Sequence, residues 1–571
     1  MHTGLRESDM DEGVAGFLGS NPDLDQAGAT LQALFRHGST TTISNSKGQS
    51  ARTKSPSVLS NKRLSWNWPS NLFFEPERGY IEGYNSTYEF LIEDVLGAGE
   101  GFTSAFPNSI TKHRHREFRR VKPHARMILR WRVDSSGESF TPVHDISYGG
   151  LTVDLCASDA TPPDGSLLIS AELISETDAV DIGSFQVHSC LHISENNLRR
   201  LRLKVRAHSD AQRRMWLKVV GSALHPNTKI AGNWTEKLWG LYDKCNYFKL
   251  SGAMGAQAFR DLKPSFAQFL SKLQNAPELG CNAVYPHRDN AVLASLSTLK
   301  VYSNTWMGFQ LGKPKGNPSG IPGRSILRDV HLHVYEHIQS IDPEAKWIVS
   351  YIQAIKVWSR AVHHDFSRQF IPSGQADIQR VRAYAIDCER PQEDTKGCTT
   401  SDVSKCELAL ILQTIRAAKG EVYVDAFDLT SETFALDKNI AEWTSGGLER
   451  ERKIFVVKEL GQIKAAVVLE LAEPGSHLFR LLDMARLFSL GPDGDSYFVT
   501  LLNCAARWYR SKARKSFVLF LEEGIKLDDE YVKSVSDLGL SDQIILSSKL
   551  IPELLECLHE VTAPRENLNA N

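Results

Sequence analysis

The stretch from about His113 to about Val220 most constrains the fold, because short β-prone runs follow one another with tight turns between them. RMILRWRV predicts a strand, SSGES a turn and FTPVHDI a second strand, which SYGG joins to LTVDL. Further strands are predicted at SLLISAEL, GSFQVHSCLHIS and RRLRLKVRA, followed by a helix at DAQRRMWLKVV. This succession predicts a small antiparallel β-barrel that ends in a helix.

Two short motifs in this stretch carry residues suited to a ligand with guanines and phosphates. REFRRV places Arg116 and Arg120 four residues apart, and a guanidinium donates paired hydrogen bonds to phosphate or to the O6/N7 edge of guanine. In DISYGG, Asp145 offers acceptors for guanine N–H groups and Ser147 adds a hydroxyl. Gly150 lets the backbone approach a ligand closely. The alternative is a solvated basic face beside an ordinary turn.

The two motifs together resemble those of PilZ domains, RxxxR and D/NxSxxG, which bind cyclic di-GMP. The matching positions are Arg116, Arg120, Val121, Asp145, Ser147 and Gly150. The resemblance covers residues 113–220, under a fifth of the chain, and implies a bacterial second-messenger receptor. It also implies that Arg116 and Arg120 clamp phosphates and guanines, while Asp145 and Ser147 read a guanine.

The segments before this stretch differ in character. Residues 1–62 are rich in Ser, Thr, Gly and Asn, which predicts a disordered tail with a short helix around Asp25–Phe35. Residues 63–112 contain a dense cluster of aromatic side chains, which predicts an ordered lead-in segment.

Residues 230–385 and 400–560 show α/β patterns in a similar order, which predicts an internal duplication. In the first, TWMGFQLG and ILRDVHLHVYE are predicted strands around the loop KPKGNPSGIPGR, and Asp342-Pro343 is predicted to begin a long helix. In the second, KIFVVKEL and QIKAAVVLEL are predicted strands, and GPDGD precedes the predicted helix SYFVTLLNCAARWYRSKA. The expected fold is multidomain α+β: a disordered N-terminus, a small antiparallel barrel and two α/β domains.

The element order of both α/β stretches resembles the GNAT acyltransferase fold, which implies an acyl-CoA ligand held at a helix start. Gly491–Asp495 and Ser340–Pro343 occupy the comparable places. The family signature Q/R-x-x-G-x-G/A is absent, the aspartates would repel a pyrophosphate, and proline lacks an N–H donor. The sequence therefore favours a non-catalytic cyclic di-GMP effector with a protein partner over a cyclic di-GMP-regulated acyltransferase.

Other candidate residues have a more ordinary interpretation. His331 and His333 would share a strand face near Glu336 and His337, but structural histidines are expected there rather than metal ligands. His363-His364-Asp365 would end a long helix, where imidazoles favour the helix dipole. Glu459 and Glu470 lie on predicted strands where GNAT enzymes often carry a base, and exposed carboxylates are expected. No catalytic residue is therefore predicted.

Composition excludes several classes of protein. The formal net charge of −2 and the pI of about 6.8 give no global attraction to nucleic acid or anionic lipid. The nine cysteines form no CxxC pair, so reduced thiols in a cytoplasm are expected and a structural zinc site is not. No apolar run reaches the roughly 18–20 residues that a membrane-spanning helix needs, so no span is predicted.

Overall fold

The computed structural model of the 571-residue chain divides into two compact units, Met1–Pro226 with Pro552–Asn571, and Asn227–Ile551. The residues that it describes are 35, 40–47, 49–59, 63–67, 74–83, 86–98, 101–114, 118–123, 126–133, 137–156, 159–175, 179–193, 198–207, 209–230, 232–247, 255–287, 291–315, 320–353, 357–389, 399–401, 403–525 and 527–562. Among these residues, no helix is long and apolar enough to cross a membrane.

The first part of unit one consists of two small antiparallel sheets. Their strands are β1 (Thr40–Ser44), β2 (Ser50–Lys54), β3 (Ser57–Val58), β4 (Arg63–Asn67), β5 (Arg78–Glu82), β6 (Ser86–Leu91), β7 (Leu96–Ala98), β8 (Gly101–Ala105) and β9 (Thr111–Arg114). The sheet orders are β2-β1-β5-β6-β9 and β3-β4-β8-β7. Alternating side chains such as Leu64 and Trp66 are buried, and Trp66 stacks on Phe102 at 5.4 Å between ring centroids.

The prediction of disorder for residues 1–62 is wrong from Thr40 onward, because β1 and β2 pair with each other and β1 also pairs with β5. Thr41 and Ile43 alternate inward on β1, and both are fully buried. Threonine and isoleucine are β-branched, so the run TTTIS favours a strand despite its polar composition. The predicted helix over Asp25–Phe35 lies outside the described residues except for its last residue, which is helical.

A closed six-stranded barrel forms the second part of unit one, as the sequence predicts. Its strands are β10 (Ile128–Arg132), β11 (Ser139–Ser147), β12 (Gly150–Cys156), β13 (Leu167–Ile174), β14 (Ala179–Ile193) and β15 (Leu198–Arg206), in the order β10-β11-β12-β15-β14-β13. Helix α1 (Asp210–Leu224) follows, and the Ser209 side chain caps it by accepting from the Gln212 N–H. Alternating residues such as Leu151, Val153 and Leu201 fill the interior.

One mixed sheet of eleven strands organises unit two. The strands are β16 (Gly280–Pro286), β17 (Val292–Tyr302), β18 (Thr305–Gly312), β19 (Trp347–Gln353), β20 (Ala376–Asp387), β21 (Thr399–Ser401), β22 (Arg450–Glu459), β23 (Gln462–Ala472), β24 (Met484–Ser489), β25 (Ser516–Glu522) and β26 (Ser536–Ser547). Their order is β16-β17-β18-β19-β26-β20-β25-β24-β23-β22-β21. The sequence predicts two separate α/β domains; instead, both stretches contribute to this single sheet.

Helices accompany this sheet in unit two. They are α2 (Thr235–Lys244), α3 (Gly255–Asp261), α4 (Lys263–Gln274), α5 (Gly323–Ile341), α6 (Lys405–Lys419), α7 (Glu421–Ala426), α8 (Asp437–Ser445), α9 (Phe498–Ser511) and α10 (Asp529–Lys533). A shorter helical segment runs through Val357–Ser359, a π-helical turn at Arg360–His364, and Asp365–Arg368. The last helix, α11 (Ile551–Val561), begins at the end of unit two, and its residues from Pro552 on belong to unit one.

The two halves of unit two repeat one topology. In the first, β16, β17 and β18 are antiparallel, α5 follows, and β19 runs parallel to β18. In the second, β22, β23 and β24 are antiparallel, α9 follows, and β25 runs parallel to β24. The closing strands are exchanged, since β26 of the second half lies beside β19 and β20 of the first lies beside β25.

Two element predictions in the first half are wrong. ILRDVHLHVYE lies within helix α5 rather than on a strand, and WIVSYIQ forms strand β19 rather than the start of a long helix. Ile326, Val330, Val334 and Ile338 recur every four residues, as is typical of a helix, but the run VHLHV also alternates like a strand and favoured the wrong assignment. Asp342-Pro343 therefore ends α5 instead of beginning a helix, and the Asp342 carboxylate accepts from Trp306 Nε1 at 2.9 Å.

Candidate ligand-binding site

Backbone pairing brings the two sequence motifs of the barrel together. The Val121 N–H donates to the Ile146 carbonyl at 3.0 Å, and the Ile146 N–H donates back to the Val121 carbonyl at 2.9 Å. Ile146 is fully buried in the barrel, so its strand neighbour Asp145 faces outward. The segment that carries the arginines is thereby held against the strand that carries the acidic residue.

Arg120 and Asp145 are in direct contact. Arg120 Nη1 donates to Asp145 Oδ1 at 3.0 Å, and His144 Nδ1 lies 3.2 Å from Asp145 Oδ2. Both members of the ion pair remain partly exposed, with 24% of the Arg120 side chain and 20% of the Asp145 side chain accessible. A carboxylate has about four acceptor positions, so Asp145 retains capacity for a ligand donor beside Arg120.

Ser147 and Gly150 shape the turn of the second motif. The Ser147 hydroxyl donates to the Gly150 carbonyl at 3.1 Å and is buried. Gly150 has a φ of 155°, and a Cβ at this position would lie 1.9 Å from the Leu203 carbonyl oxygen. Only glycine fits there, because any side chain would collide with the backbone of β15.

Helix α1 supports both motifs from behind, a feature that the sequence patterns do not reveal. Arg119 Nη2 donates to the Leu224 carbonyl at 2.9 Å, at the C-terminal end of α1. Trp216 Nε1, in the middle of α1, donates to the Tyr148 carbonyl at 2.8 Å. Phe118 contacts Tyr148 edge-to-face at 6.0 Å between centroids. The arginine segment and the turn are therefore both anchored to one rigid helix.

Of the five predicted ligand-binding residues, the structure brings Arg120 and Asp145 together and places Ser147 and Gly150 in the adjoining turn. Arg116 lies outside the described residues. Its proposed role therefore rests on the sequence motif alone.

A second ion pair lies further along the outer face of the barrel. Arg200 donates to both carboxylate oxygens of Asp154, from Nε at 2.6 Å and from Nη2 at 2.9 Å. The hydrogen bond to Asp154 raises the pKa of Arg200 above its usual value. Arg200 is thereby committed to a structural contact across β12 and β15.

Comparison with known proteins gives structural similarities at low sequence identity. No family model and no curated protein matches the chain. The structure of Escherichia coli YcgR in complex with c-di-GMP is similar at 15% identity, over 34% of this chain and 86% of that chain, with a TM-score of 0.27. The K. pneumonia MrkH–c-di-GMP complex is similar at 14% identity, over 34% and 91%, with a TM-score of 0.28.

A Drosophila protein structure is similar over 56% of this chain and 98% of that chain, at 7% identity and a TM-score of 0.32. All three TM-scores lie below 0.5. We therefore base no conclusion about function on these similarities.

The histidines of unit two form structural contacts on helix α5. His331 and His333 lie on a helix and not on a strand face as predicted. The His331 Nδ1–H donates to the Leu327 carbonyl at 2.7 Å, and His333 Nδ1 lies 2.7 Å from Thr228 Oγ1. His363 Nε2 lies 3.3 Å from His331 Nε2. Burial lowers the pKa of His331 to about 4 and that of His363 to about 3, so both are neutral at pH 7.

Glu470 is not an exposed strand carboxylate, contrary to the prediction, but the centre of a buried cationic cluster. The arginine–glutamate cluster consists of Glu470 and the arginines Arg450, Arg452 and Arg486. Glu470 accepts from Arg450 and, at 2.8 Å, from Arg452 Nη2, while Arg486 Nη1 lies 4.0 Å away. Burial alone would raise the pKa of Glu470, but the arginines lower it to about 2. Glu459, by contrast, lies near a hairpin turn with 53% of its side chain exposed.

Each parallel strand pair of unit two is paired over only a few residues. β18 and β19 pair from Thr305 to Gly308, and β24 and β25 pair from Met484 to Arg486. Beyond Arg486, Leu487 and Leu521 are buried in one apolar cluster with side chains of α9. Two cavities among the described residues hold about 10 and 40 Å³; Val518 lines the smaller one, at the start of the pairing of β25 with β24 and not beyond Arg486.

Proposed function

We propose that the barrel and its arginine segment form a receptor for cyclic di-GMP, and that binding alters how the C-terminal α/β region meets a protein partner. The observation that carries this proposal is the contact of Arg120 with Asp145, which joins the two motifs in one exposed site. In the proposed complex, Arg116 and Arg120 bind phosphates and guanine edges, Asp145 and Ser147 bind a guanine, and Gly150 lets the turn beside Ser147 pack closely on β15.

The anchoring of the arginine segment suggests how a ligand would be sensed within unit one. Strand β9 ends at Arg114, immediately before the segment, and Arg119 ties the segment to the end of α1. On β9, Lys112 bonds to Glu556 of helix α11, whose carboxylate also accepts from the Tyr88 hydroxyl at 2.9 Å. Movement of the arginines toward a ligand would therefore be transmitted to both α1 and β9.

Calorimetric titration of the full chain with cyclic di-GMP tests the proposal. The unmodified chain should bind with micromolar or tighter affinity, and Arg120→Ala should weaken binding about ten- to hundred-fold, since a charged hydrogen bond contributes roughly 1.5–3 kcal/mol. Arg120→Lys should also weaken binding, because lysine keeps the charge but cannot donate two parallel hydrogen bonds.

Arg132→Ala is the matched control, since Arg132 lies on the same barrel but pairs with Glu138, away from the motifs. Its affinity should equal that of the unmodified chain. Equal affinities for Arg120→Ala and Arg132→Ala would refute the assignment.

The second candidate is a cyclic di-GMP-regulated acyltransferase, and one observation in the first half of unit two favours it. Just beyond the paired residues of β18 and β19, Gln310 adopts a φ of 55°, and its buried Nε2 has no hydrogen-bond partner among the described residues. The Gly/Pro-rich loop then leads into α5, where the Lys313 side chain packs against Gly323 at the helix start. A helix start with an adjacent ammonium suits a pyrophosphate.

Titration of the full chain with acetyl-CoA, with and without cyclic di-GMP, separates the two candidates. The acyltransferase requires binding that is weakened by Lys313→Glu. No heat of binding at millimolar acetyl-CoA, in a preparation that binds cyclic di-GMP, would eliminate the acyltransferase and leave the receptor.

A further inference from the structure

The outer face of β12 and β15 continues the proposed ligand site beyond the two motifs. Leu151, Val153, Leu201 and Leu203 point into the barrel. Because side chains alternate along a strand, Thr152 and Arg202 point outward. The register aligns Asp145 of β11 with Thr152 of β12, and Thr152 with Arg202 of β15. Asp145, Thr152 and Arg202 thus form one cross-strand row.

The side chain of Arg202 differs from those of the other arginines of β15 in having no partner among the described residues. Arg199 donates to Thr161, Arg200 pairs with Asp154, and Arg206 donates to Gln186. The Arg202 backbone pairs with β12 and β14, but its side chain is exposed and makes no hydrogen bond or ion pair with any described residue. An exposed guanidinium with all of its donors free is available to a ligand, whereas those of its neighbours are engaged in holding the barrel together.

Thr152, between Asp145 and Arg202, supplies a second and independent observation. Its side chain is 1% exposed, and its hydroxyl oxygen has no hydrogen-bond partner in the part of the chain that the structure describes. A buried hydroxyl without a partner destabilises a protein, so such a position calls for an explanation. Its two cross-strand neighbours are Asp145 and Arg202. If both side chains turn toward a bound ligand, the Thr152 hydroxyl becomes accessible to that ligand.

The geometry points to Arg202 and Thr152 as additional ligand-binding residues, which form the far side of the cyclic di-GMP site. This inference rests on the proposed function. Neighbouring strands lie about 4.8 Å apart, so Arg202 is about 10 Å from Asp145 across two strand spacings. A dinucleotide with two guanines and two phosphates can therefore place a guanine at Asp145 and present a phosphate or a guanine O6/N7 edge to Arg202.

Titration of the full chain with cyclic di-GMP, using variants of β15, tests the inference. Arg202→Ala should weaken binding about ten- to hundred-fold, and Arg202→Lys should restore it only in part. Arg206→Ala is the matched control, because Arg206 lies on the same strand and face but is bonded to Gln186; its affinity should be unchanged. Equal weakening by Arg202→Ala and Arg206→Ala would indicate unspecific electrostatic attraction and overturn the inference.

Thr152→Val provides a second test, which distinguishes a ligand-binding role of Thr152 from a purely structural one. Valine keeps the shape and removes the unpartnered hydroxyl, so the melting temperature of the unliganded chain should not fall while the affinity drops about three- to ten-fold. If Arg202→Ala binds like the unmodified chain while Arg120→Ala does not, the inference fails and the receptor assignment stands. If the unmodified chain does not bind cyclic di-GMP, the receptor assignment and the inference both fail.

Discussion

Replacing Glu470 by glutamine should strongly destabilise unit two, because it removes the carboxylate at the centre of the arginine–glutamate cluster. The Glu470 side chain is 1% exposed, and those of Arg450 and Arg452 are 0% exposed, so water cannot compensate for the lost charge. Breaking a buried ion pair costs about 3–5 kcal/mol. Lowering the pKa of Glu470 from 4.5 to about 2 corresponds to about 3 kcal/mol, which agrees.

Thermal unfolding of the full chain measures this effect. For a unit of this size, 3–5 kcal/mol corresponds to a fall in Tm of roughly 6–10 °C in the transition of unit two, at about 2 °C per kcal/mol. Glu459→Gln is the control, since Glu459 lies on the same hairpin, is half exposed and is 3.7 Å from Lys464. It should change stability by less than about 1 kcal/mol. Equal Tm values for the two variants would refute the role assigned to Glu470.

The pH dependence of stability provides a second test of the role of Glu470. Because the pKa of Glu470 is depressed in the folded state, its stabilising contribution is complete above pH 4.5 and is lost as the pH falls toward 2. Glutamine resembles the protonated carboxyl, so the stabilities of the unmodified chain and of Glu470→Gln should converge below pH 4.5. A difference that stays constant down to pH 3 would contradict the depressed pKa.

Three further outcomes are expected. Gly150→Ala should lower the Tm of unit one and abolish cyclic di-GMP binding, because its Cβ would collide with the Leu203 carbonyl; a fully stable variant would contradict this. Unit two should lose stability as the pH falls from 6.5 toward 4, because His331 and His363 are buried and neutral while the unfolded chain takes up protons; a flat Tm over this range would refute it. A chain that ends at Glu389 should lack a folded first half, because β26 is missing between β19 and β20; a cooperative unfolding transition in its residues 227–389 would disprove it.

The barrel could be predicted from the sequence because short local patterns mark its strands and turns. Each strand is short and alternates along its length, and tight turns such as SYGG mark the boundaries. The resemblance assigns Arg120 and Asp145 to one ligand, but their direct contact depends on the backbone pairing of Val121 with Ile146, which the sequence patterns do not predict. The support from Arg119 and Trp216 is not predicted either, because it depends on where α1 packs.

Element type was misassigned where the local sequence pattern is ambiguous. Helix α5 is buried on every face, and the run VHLHV within it also alternates like a strand. In β1, the polar run TTTIS suggested disorder, although it is stabilised by pairing with β2 and β5. In both places tertiary contacts, rather than the local pattern, decide the structure.

The duplication in unit two was predicted from element order, although two elements of its first half were misassigned, and the exchange of its closing strands was not predicted. β20 and β26 are both antiparallel to their neighbours. The alternation of side chains along each strand is therefore compatible with a place in either half of the sheet. The arginine–glutamate cluster adds a connection between the halves, because Arg486 of the second half donates to the Tyr351 hydroxyl of the first at 2.9 Å. Neither half can complete its sheet or satisfy its buried charges alone, so the two halves should unfold in one transition.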